Sequence, residues 1–268
     1  MPDREFDKRV MKVIRKSDIL LEVLDARFPA ETRNFRLEKK IKWMEKGLII
    51  VLNKADMVSQ GHIKKTSIRL QKKGHVVVEV SCNDRKGKQK LKAAINMATR
   101  NFGRKTRHRV TQRGMIVGLF GYPNTGKSSL INYLGGKKKA RTSAQAAFTR
   151  GEQFIRVNED IMLIDTPGVI SFKGKPWQDL VILNALSPNQ LYDRIAAAER
   201  LVKFLMENNP KALEKAYDVK IGKETTDEYE ILEQIAIARK RLTKGGGADL
   251  EAIARIIITD WQRGKIKI

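Results

Sequence analysis

The stretch Gly121–Ser129, GYPNTGKSS, decides the fold of this chain of 268 residues. It fits the phosphate-binding loop pattern, in which two glycines enclose four residues and Lys127 and Ser128 follow the second glycine. An apolar strand pattern, MIVGLF, precedes the loop and a helical pattern, SSLINYL, follows it, as the pattern requires. Backbone N–H groups of such a loop and the positive end of its helix bind phosphate oxygens, so the sequence predicts a nucleotide site.

The side chains of this loop have separable expected roles. Lys127 is expected to reach the β- and γ-phosphates, and the Ser128 hydroxyl is expected to bind Mg²⁺. A glycine-rich turn without a ligand would not explain why lysine and serine follow the glycine. The predicted nucleotide contacts in the loop are Tyr122, Pro123, Asn124, Thr125, Gly126, Lys127, Ser128 and Ser129.

A second phosphate-end motif, Asp165-Thr166-Pro167-Gly168, closes the apolar run IMLID. A carboxylate at Asp165 can hold Mg²⁺ through water, and the Gly168 N–H can contact the γ-phosphate. Thr149, in AFTRGEQ, is the favoured threonine for completing the metal shell because it directly precedes a strand, and Thr142 is its competitor. The predicted catalytic residues are therefore Lys127, Thr149 and Gly168, and the predicted Mg²⁺ ligands are Ser128, Thr149 and Asp165.

The stretch Asn53-Lys54-Ala55-Asp56 follows the apolar run LIIVL and is predicted to recognise the guanine base. We call these four residues the guanine reader. Guanine presents donors at N1 and the 2-amino group, and Asp56 can accept both, whereas adenine presents neither. Ser81-Cys82-Asn83 follows the next strand pattern, and its backbone is expected to donate to guanine O6, with Cys82 as a packing residue. The alternative, a plain helix N-cap at this place, is disfavoured by the preceding buried strand.

Six short apolar runs interleave with helical patterns, which predicts a mainly parallel sheet covered on both faces. In this chain the guanine reader precedes the phosphate-binding loop. Rewriting the predicted strands in the usual order, with the phosphate-binding loop first, removes one chain connection and adds one. The termini of a domain often lie close together, so such a rearrangement of the chain is tolerable. We therefore expect the two motifs to form one site. The predicted strands are Ile19–Leu24, Leu48–Leu52, Val76–Val80, Met115–Phe120, Gln153–Val157 and Ile161–Ile164.

These motifs resemble those of the circularly permuted GTPases of the YlqF/YawG family, which includes ribosome biogenesis GTPase A-like proteins. The resemblance covers nearly the whole chain and includes DARFPAETRN (Asp25–Asn34), NKAD, SCN, GYPNTGKSS, FTRG, DTPGV and the tail LTKGGGADLEAIARIIITDWQRGKI. It implies a circularly permuted P-loop G domain followed by a small all-α domain. It also implies GTP or GDP with Mg²⁺ as ligands, slow GTP hydrolysis, and a switch role in ribosome assembly, with the large subunit as the expected target.

The groups that would drive hydrolysis are less evident. Val169 and Ile170 follow Gly168, where many GTPases have a glutamine that orients water, so intrinsic hydrolysis is expected to be slow. Asn124 resembles the asparagine of potassium-activated GTPases, which suggests K⁺ as a further cofactor, although it could merely stabilise the loop. Bacterial relatives begin with a WFPGHM-like segment, whereas this chain begins MPDREFDKRV, so no catalytic histidine is carried over.

Charge points to a polyanionic partner. The chain has 54 Lys and Arg against 30 Asp and Glu, a net charge of +24, and residues 1–114 hold 30 basic and 12 acidic residues, whereas residues 184–268 hold 15 and 13. Aromatic residues make up 6%, which favours docking on folded rRNA by shape and charge over base stacking. The predicted RNA contacts come from three basic clusters: Arg85, Lys86, Arg104, Lys105, Arg107, Arg109, Lys137, Lys138 and Lys139.

The expected organisation is a GTPase domain over residues 1–183, with a basic linker at 103–114, and a helical domain over 184–268. One cysteine excludes an internal disulfide, and no run of eighteen apolar residues is present, so a cytoplasmic protein without membrane or DNA partners is expected, monomeric off the ribosome. The competing function is a nucleotide-gated RNA-binding module in which hydrolysis is incidental.

Overall fold

A computed structural model describes residues 10–105, 115–135, 154–157, 161–165, 177–222 and 227–267. The chain divides into two compact units, residues 1–171 and residues 172–268. No helix within the described ranges is long and apolar enough to span a membrane.

The first unit is built on one six-stranded sheet with the order β3-β2-β1-β4-β6-β5. Every neighbouring pair is parallel except β5 and β6, which are antiparallel. The predicted mainly parallel six-stranded sheet is therefore confirmed. The strands are β1 (Ile19–Asp25), β2 (Gly47–Asn53), β3 (Val76–Glu79), β4 (Met115–Phe120), β5 (Phe154–Arg156) and β6 (Ile161–Asp165).

Helices cover both faces of this sheet: α1 (10–16), α2 (Phe35–Trp43), α3 (Gln60–Lys72), α4 (Lys88–Lys105) and α5 (Lys127–Gly135). Successive residues of β1 point to opposite faces, so Leu20 packs with α1 and α2, whereas Leu21 packs with α4 and α5. Burial on both faces explains why the inner strands β1, β2 and β4 are almost continuously apolar rather than alternating. Helix α4 continues to Lys105, so residues 103–105 of the expected linker are helical, because one glycine costs a helix only about 1 kcal/mol.

The strand order predicts a crevice at the carboxyl ends of the central strands. From β1 the chain adds β2 and β3 on one side, whereas β4 and β6 extend the sheet on the other side of β1. Ligands of open α/β sheets bind beyond the carboxyl ends of the strands at the point where the strand order reverses. Here that point lies between β1 and β4, and the phosphate-binding loop follows β4.

The second unit is helical: α6 (Trp177–Ile182), a 3₁₀ turn (Pro188–Gln190), α7 (Arg194–Asn208), α8 (Lys211–Tyr217), α9 (Glu228–Ala238) and α10 (Leu250–Arg263). Sequence patterns predict a helix that begins at residue 188. Instead, Pro188–Gln190 form a 3₁₀ turn that is capped by hydrogen bonds between Ser187 and Gln190. Helix α7 begins only after Asp193, whose side chain accepts a hydrogen bond from Ala196 N–H at 2.9 Å. The indole N–H of Trp261 donates to the Ile182 carbonyl at 2.9 Å, which ties α6 to α10. The second unit therefore includes residues 172–183, which the sequence analysis assigned to the GTPase domain.

Candidate functional site

The phosphate-binding loop joins β4 to α5 in the geometry that its sequence requires. The ammonium group of Lys127, which is only 6% exposed, donates to the carbonyls of Gly121 at 2.9 Å and Tyr122 at 2.7 Å. The hydroxyl of Thr125 also donates to the Tyr122 carbonyl, at 2.9 Å. The loop therefore curls around a buried cation, and the exposed Ser128 lies in the first turn of α5 beside it.

Both glycines of the loop lie where the neighbouring strands leave no room for a side chain. Gly121 has a φ of +154°, and a Cβ there would lie 2.4 Å from the Val23 carbonyl of β1. Gly126 has a φ of +94°, and a Cβ there would lie 2.1 Å from Asn53 Nδ2. The loop is therefore pressed against the ends of β1 and β2, which carry the other motif.

The predicted guanine reader and the phosphate-binding loop meet through Asn53. This residue ends β2 and is 2% exposed, and its Nδ2 donates to the Thr125 carbonyl at 2.8 Å. Its Oδ1 is buried and has no hydrogen-bond partner among the described residues. The two motifs are thus adjacent in space although the chain order is reversed.

The base end of the site is a cavity of about 1160 Å³ beside the carboxyl end of β3. Its lining includes the predicted residues Asp56, Ser81, Cys82 and Asn83, together with Ser129 of α5. The Ser81 hydroxyl donates to Asp56 Oδ1 at 2.6 Å, so a hydrogen bond fixes the carboxylate at the cavity wall. Burial, followed by the charge of Asp56, raises the pKa of the Cys82 thiol to about 11, which suits a packing residue and not a nucleophile.

An ion-pair network that the sequence did not predict supports the reader. Asp25 ends β1 and is 1% exposed, and it accepts hydrogen bonds from the Arg27 guanidinium and from Lys54 Nζ at 2.9 Å. Burial would raise the pKa of Asp25, but Arg27 and then Lys54 outweigh burial and lower it to about 2. Asp25 therefore fixes Lys54, whose φ of +61° lies in the left-handed region. The sequence signals were an acidic residue directly after an apolar strand pattern and the family-like segment that it opens, DARFPAETRN.

A second buried polar group lies at the other end of the same connection. Glu22, within β1, accepts a hydrogen bond from the Asn34 N–H at 2.7 Å. Arg33 makes a bidentate ion pair with Glu38 of α2, and Arg33 also lies 3.0 Å from His75 Nε2. Burial, followed by the charge of Glu38, raises the pKa of Glu22 well above its usual value. The residues of Asp25–Asn34 are thus held at both ends by buried polar side chains.

The remaining predicted site residues are described only in part. Asp165 ends β6 in register with Leu119 of β4, so its backbone lies next to the strand that leads into the phosphate-binding loop. Thr149, Thr142 and Gly168 lie outside the described residues. Of the predicted RNA contacts, Arg85 and Lys86 line the cavity, and Arg104 and Lys105 lie in the last turn of α4. Those outside the described residues are Arg107, Arg109, Lys137, Lys138 and Lys139.

Comparison with known families places this geometry among GTPases. A model of the RsgA GTPase family matches residues 30–175, and a model of 50S ribosome-binding GTPases matches residues 116–236. An uncharacterised GTP-binding protein of Methanocaldococcus jannaschii is 39% identical over 97% of this chain and 65% of its own length. Ribosome biogenesis GTPase A of Bacillus cereus is 27% identical over 97% of this chain and 87% of its own length.

The crystal structure of GNP-bound YlqF from T. maritima superposes with a TM-score of 0.64 at 22% identity, covering 97% of this chain and 94% of that one. This likeness shows a shared fold. The chain spans between 42% and 65% of the length of the first curated relatives that match it at 30% identity or more.

Proposed function

Because the chain belongs to the circularly permuted, YlqF-like GTPases, we propose that it binds GTP and GDP with Mg²⁺, hydrolyses GTP slowly, and acts as a switch in ribosome assembly. The observation that carries the proposal is the hydrogen bond from Asn53 Nδ2 to the Thr125 carbonyl. This hydrogen bond connects the guanine reader to the phosphate-binding loop, although the two motifs occur in the reverse of the usual order along the chain. Two motifs that occurred by coincidence would not be expected to touch.

At the base end, Asp56 is the group that would select guanine. Its carboxylate lines the cavity and would accept hydrogen bonds from guanine N1–H and the 2-amino group. The second hydrogen of Asn53 Nδ2 would serve guanine N7, and backbone N–H groups of Ser81-Cys82-Asn83 would serve O6. Adenine would offer Asp56 neither donor and would leave the carboxylate with the Ser81 hydroxyl alone, and such sites discriminate by about 10⁴-fold or more.

At the phosphate end, Lys127 would exchange its bonds to loop carbonyls for the stronger charge-assisted bonds to the β- and γ-phosphates. The residues present fit a magnesium ion, since Ser128 is exposed in the first turn of α5 and Asp165 ends β6, the strand paired with β4. Mg²⁺ when bound would neutralise charge on the phosphate oxygens. Thr149 would complete its ligands, and the Gly168 N–H would contact the γ-phosphate.

The proposal of slow turnover rests on the residues after Gly168, and the proposal of a role for K⁺ rests on Asn124 in the phosphate-binding loop. Val169 and Ile170 carry no group that can orient the attacking water, so intrinsic hydrolysis would be slow and a partner would have to position that water. Asn124 is exposed in the phosphate-binding loop with a φ of +58°, in the left-handed region that asparagine tolerates better than most residues. A potassium ion held there would place positive charge where charge develops in the transition state.

The expected partner is rRNA within a ribosomal particle, with the large subunit favoured. Support comes from the net charge of +24 and from the similarity to ribosome biogenesis GTPase A of Bacillus cereus. A cytoplasmic protein that is monomeric off the ribosome remains the expectation.

The nucleotide part is tested by calorimetry with GDP and ADP. The wild-type protein should bind GDP and leave ADP unbound at comparable concentration. Asp56→Asn should lose GDP by about 10³-fold and gain xanthosine diphosphate, because xanthine replaces the 2-amino donor with a carbonyl. Equal binding of GDP and ADP by the wild-type protein would end the proposal.

The switch part is tested by multiple-turnover phosphate release in K⁺ and Na⁺ buffers, with and without large ribosomal subunits. Stimulation by subunits supports the switch, and stimulation by K⁺ that disappears in Asn124→Ala supports the cation. No turnover under any condition, together with GTP-dependent RNA binding, would favour the nucleotide-gated binding module, which the missing glutamine also favours.

A further inference from the structure

We propose that the exposed face of α2 is a second RNA-binding surface, on which the indole ring of Trp43 stacks against an unpaired base. This face consists of Phe35, Arg36, Lys39, Lys40, Lys42 and Trp43. The inference rests on the proposed function and deepens it, since it assigns RNA contact to a surface outside the three basic clusters of the sequence.

Trp43 is the feature that requires an explanation. It is the last residue of α2 and is 85% exposed, whereas Trp261 is fully buried. Leu37 and Ile41 form the buried side of α2, and Trp43 lies two residues beyond Ile41, so it projects to the opposite side. Tryptophan is a large apolar side chain that proteins usually bury or use at interfaces.

The flat faces of the Trp43 ring are accessible in the described part of the chain, where no aromatic or cationic side chain stacks against them. Phe35, at the other end of the helix, differs, because the Arg33 guanidinium lies 4.5 Å from its ring centroid. Trp43 is therefore the aromatic ring of this face that can receive another planar group.

The remainder of the face is basic. Arg36, Lys39, Lys40 and Lys42 are exposed, while the one acidic residue of α2, Glu38, is buried in its ion pair with Arg33. The adjacent α1, which packs into the same apolar cluster, exposes three more basic residues on that side of the sheet: Lys12, Arg15 and Lys16. An aromatic ring on a helix face of basic residues complements a nucleic acid, which offers both flat bases and phosphates.

Simpler roles do not account for the combination. Basic residues in the last turn stabilise the negative end of a helix, which explains Lys40 and Lys42 but not an exposed indole. A folded duplex would satisfy the lysines through phosphate contacts, but its bases are stacked and present no free face. The surface therefore fits RNA with an unpaired base next to a phosphate backbone, such as a hairpin loop or a bulge.

The test uses the full chain and two RNA probes, a hairpin with an unpaired adenosine loop and a blunt duplex of the same stem. Trp43→Ala should weaken hairpin binding by about tenfold, since stacking on one base is worth roughly that factor, and should alter duplex binding little. Trp43→Phe, which keeps a stacking ring, should restore most of the affinity. Tyr192→Ala is the matched control, because Tyr192 is also fully exposed but lies in the second unit.

Salt dependence separates stacking from charge. Substitution of Lys39, Lys40 and Lys42 by serine should lower the slope of log affinity against log salt by about 0.7 for each phosphate that the protein no longer neutralises. Trp43→Ala should leave that slope unchanged. GDP affinity should match the wild type in every variant, because none of these residues belongs to the nucleotide motifs. The triple-serine variant should unfold at a slightly lower temperature, because Lys40 and Lys42 stabilise the last turn of α2, and a fully folded protein at the assay temperature is the control.

Two outcomes would overturn the inference. Hairpin affinity that is unchanged in both Trp43→Ala and the triple-serine variant would remove RNA from this face. Unchanged binding to the hairpin with reduced binding to intact ribosomal subunits would assign the face to a protein instead. Failure of the wild-type protein to bind either RNA would count against the proposed function itself, which is a distinguishable result.

Discussion

Asn53 and Gly126 show at the residue scale how a permuted chain still makes one site. The Asn53 amide holds the Thr125 carbonyl, and the space that a side chain at Gly126 would need is filled by that same amide nitrogen. The need for glycine at position 126 therefore depends on the asparagine at position 53. This dependence is local and does not require the two motifs to follow any particular order in the chain.

A double-mutant cycle tests this dependence. Asn53→Ala should lower the free energy of unfolding by about 1–2 kcal/mol, because it leaves the buried Thr125 carbonyl without its donor, and should weaken GDP binding. Gly126→Ala places a methyl group 2.1 Å from Asn53 Nδ2, so its cost should be smaller in the Asn53→Ala background. The expected coupling is about 0.5–3 kcal/mol in urea denaturation.

Gly74→Ala provides the control for this cycle. Gly74 has a φ of +83°, similar to that of Gly126, but a Cβ there would meet nothing within 4 Å. Its cost should therefore come from backbone strain alone and should add to that of Asn53→Ala. Strict additivity of Gly126→Ala with Asn53→Ala would show that the close approach of the two residues is not the reason for the glycine.

At the scale of elements, the connection from β1 to α2 behaves as a rigid part of the site. The Asp25 N–H donates to the Thr32 hydroxyl at 3.3 Å, and that hydroxyl donates to the Phe28 carbonyl at 2.6 Å. The Asp25 carboxylate then reaches Lys54 of the guanine reader. Charge pairing in this connection thus orients a residue that follows β2.

The pH dependence of stability should report this network. The pKa of Asp25 is lowered from 3.8 to about 2, so its ionised form stabilises the fold by about 2 kcal/mol above pH 4. That contribution is lost as the pH falls through about 2. Asp25→Asn should therefore lower the free energy of unfolding most at neutral pH, and the difference from wild type should shrink below pH 4.

Urea denaturation between pH 2 and pH 7 measures that difference. Asp227→Asn is a suitable control, because Asp227 is an exposed cap of α9 and asparagine keeps the capping oxygen. A gap between Asp25→Asn and wild type that stays constant over the whole pH range would contradict a role for the ionised carboxylate.

The sequence predicts those elements that are determined by the residue pattern within the element itself. Short apolar, β-branched runs located all six strands, and the glycine–lysine–serine pattern located the phosphate-binding loop. Sequence reasoning missed α6, because that short helix is held by the Trp261 indole from the far end of the second unit. It also missed the Asp25 network, since an ion pair with Lys54, 29 positions away, leaves no periodic trace.

At the scale of the whole molecule, charge is distributed unevenly between the two ends of the chain. Residues 1–114 carry a net charge of +18 and residues 184–268 a net charge of +2. General attraction to a polyanion depends on total charge, whereas a defined interface depends on where that charge lies. Variants that change the same number of charges in the two regions can separate these possibilities.

Substitution of Arg104, Lys105, Arg107 and Arg109 by serine should weaken binding to large ribosomal subunits and lower the salt slope by up to about 0.9 for each phosphate left without its cation. Affinity for GDP should not change, because the guanine reader and the phosphate-binding loop are left intact. The matched control replaces Arg239, Lys240, Arg241 and Lys244, which are exposed in the second unit, and so removes the same charge. Sedimentation with subunits over a range of salt concentrations measures both. If the two sets weaken binding equally, net charge alone governs association and the cluster at the end of α4 is not an interface.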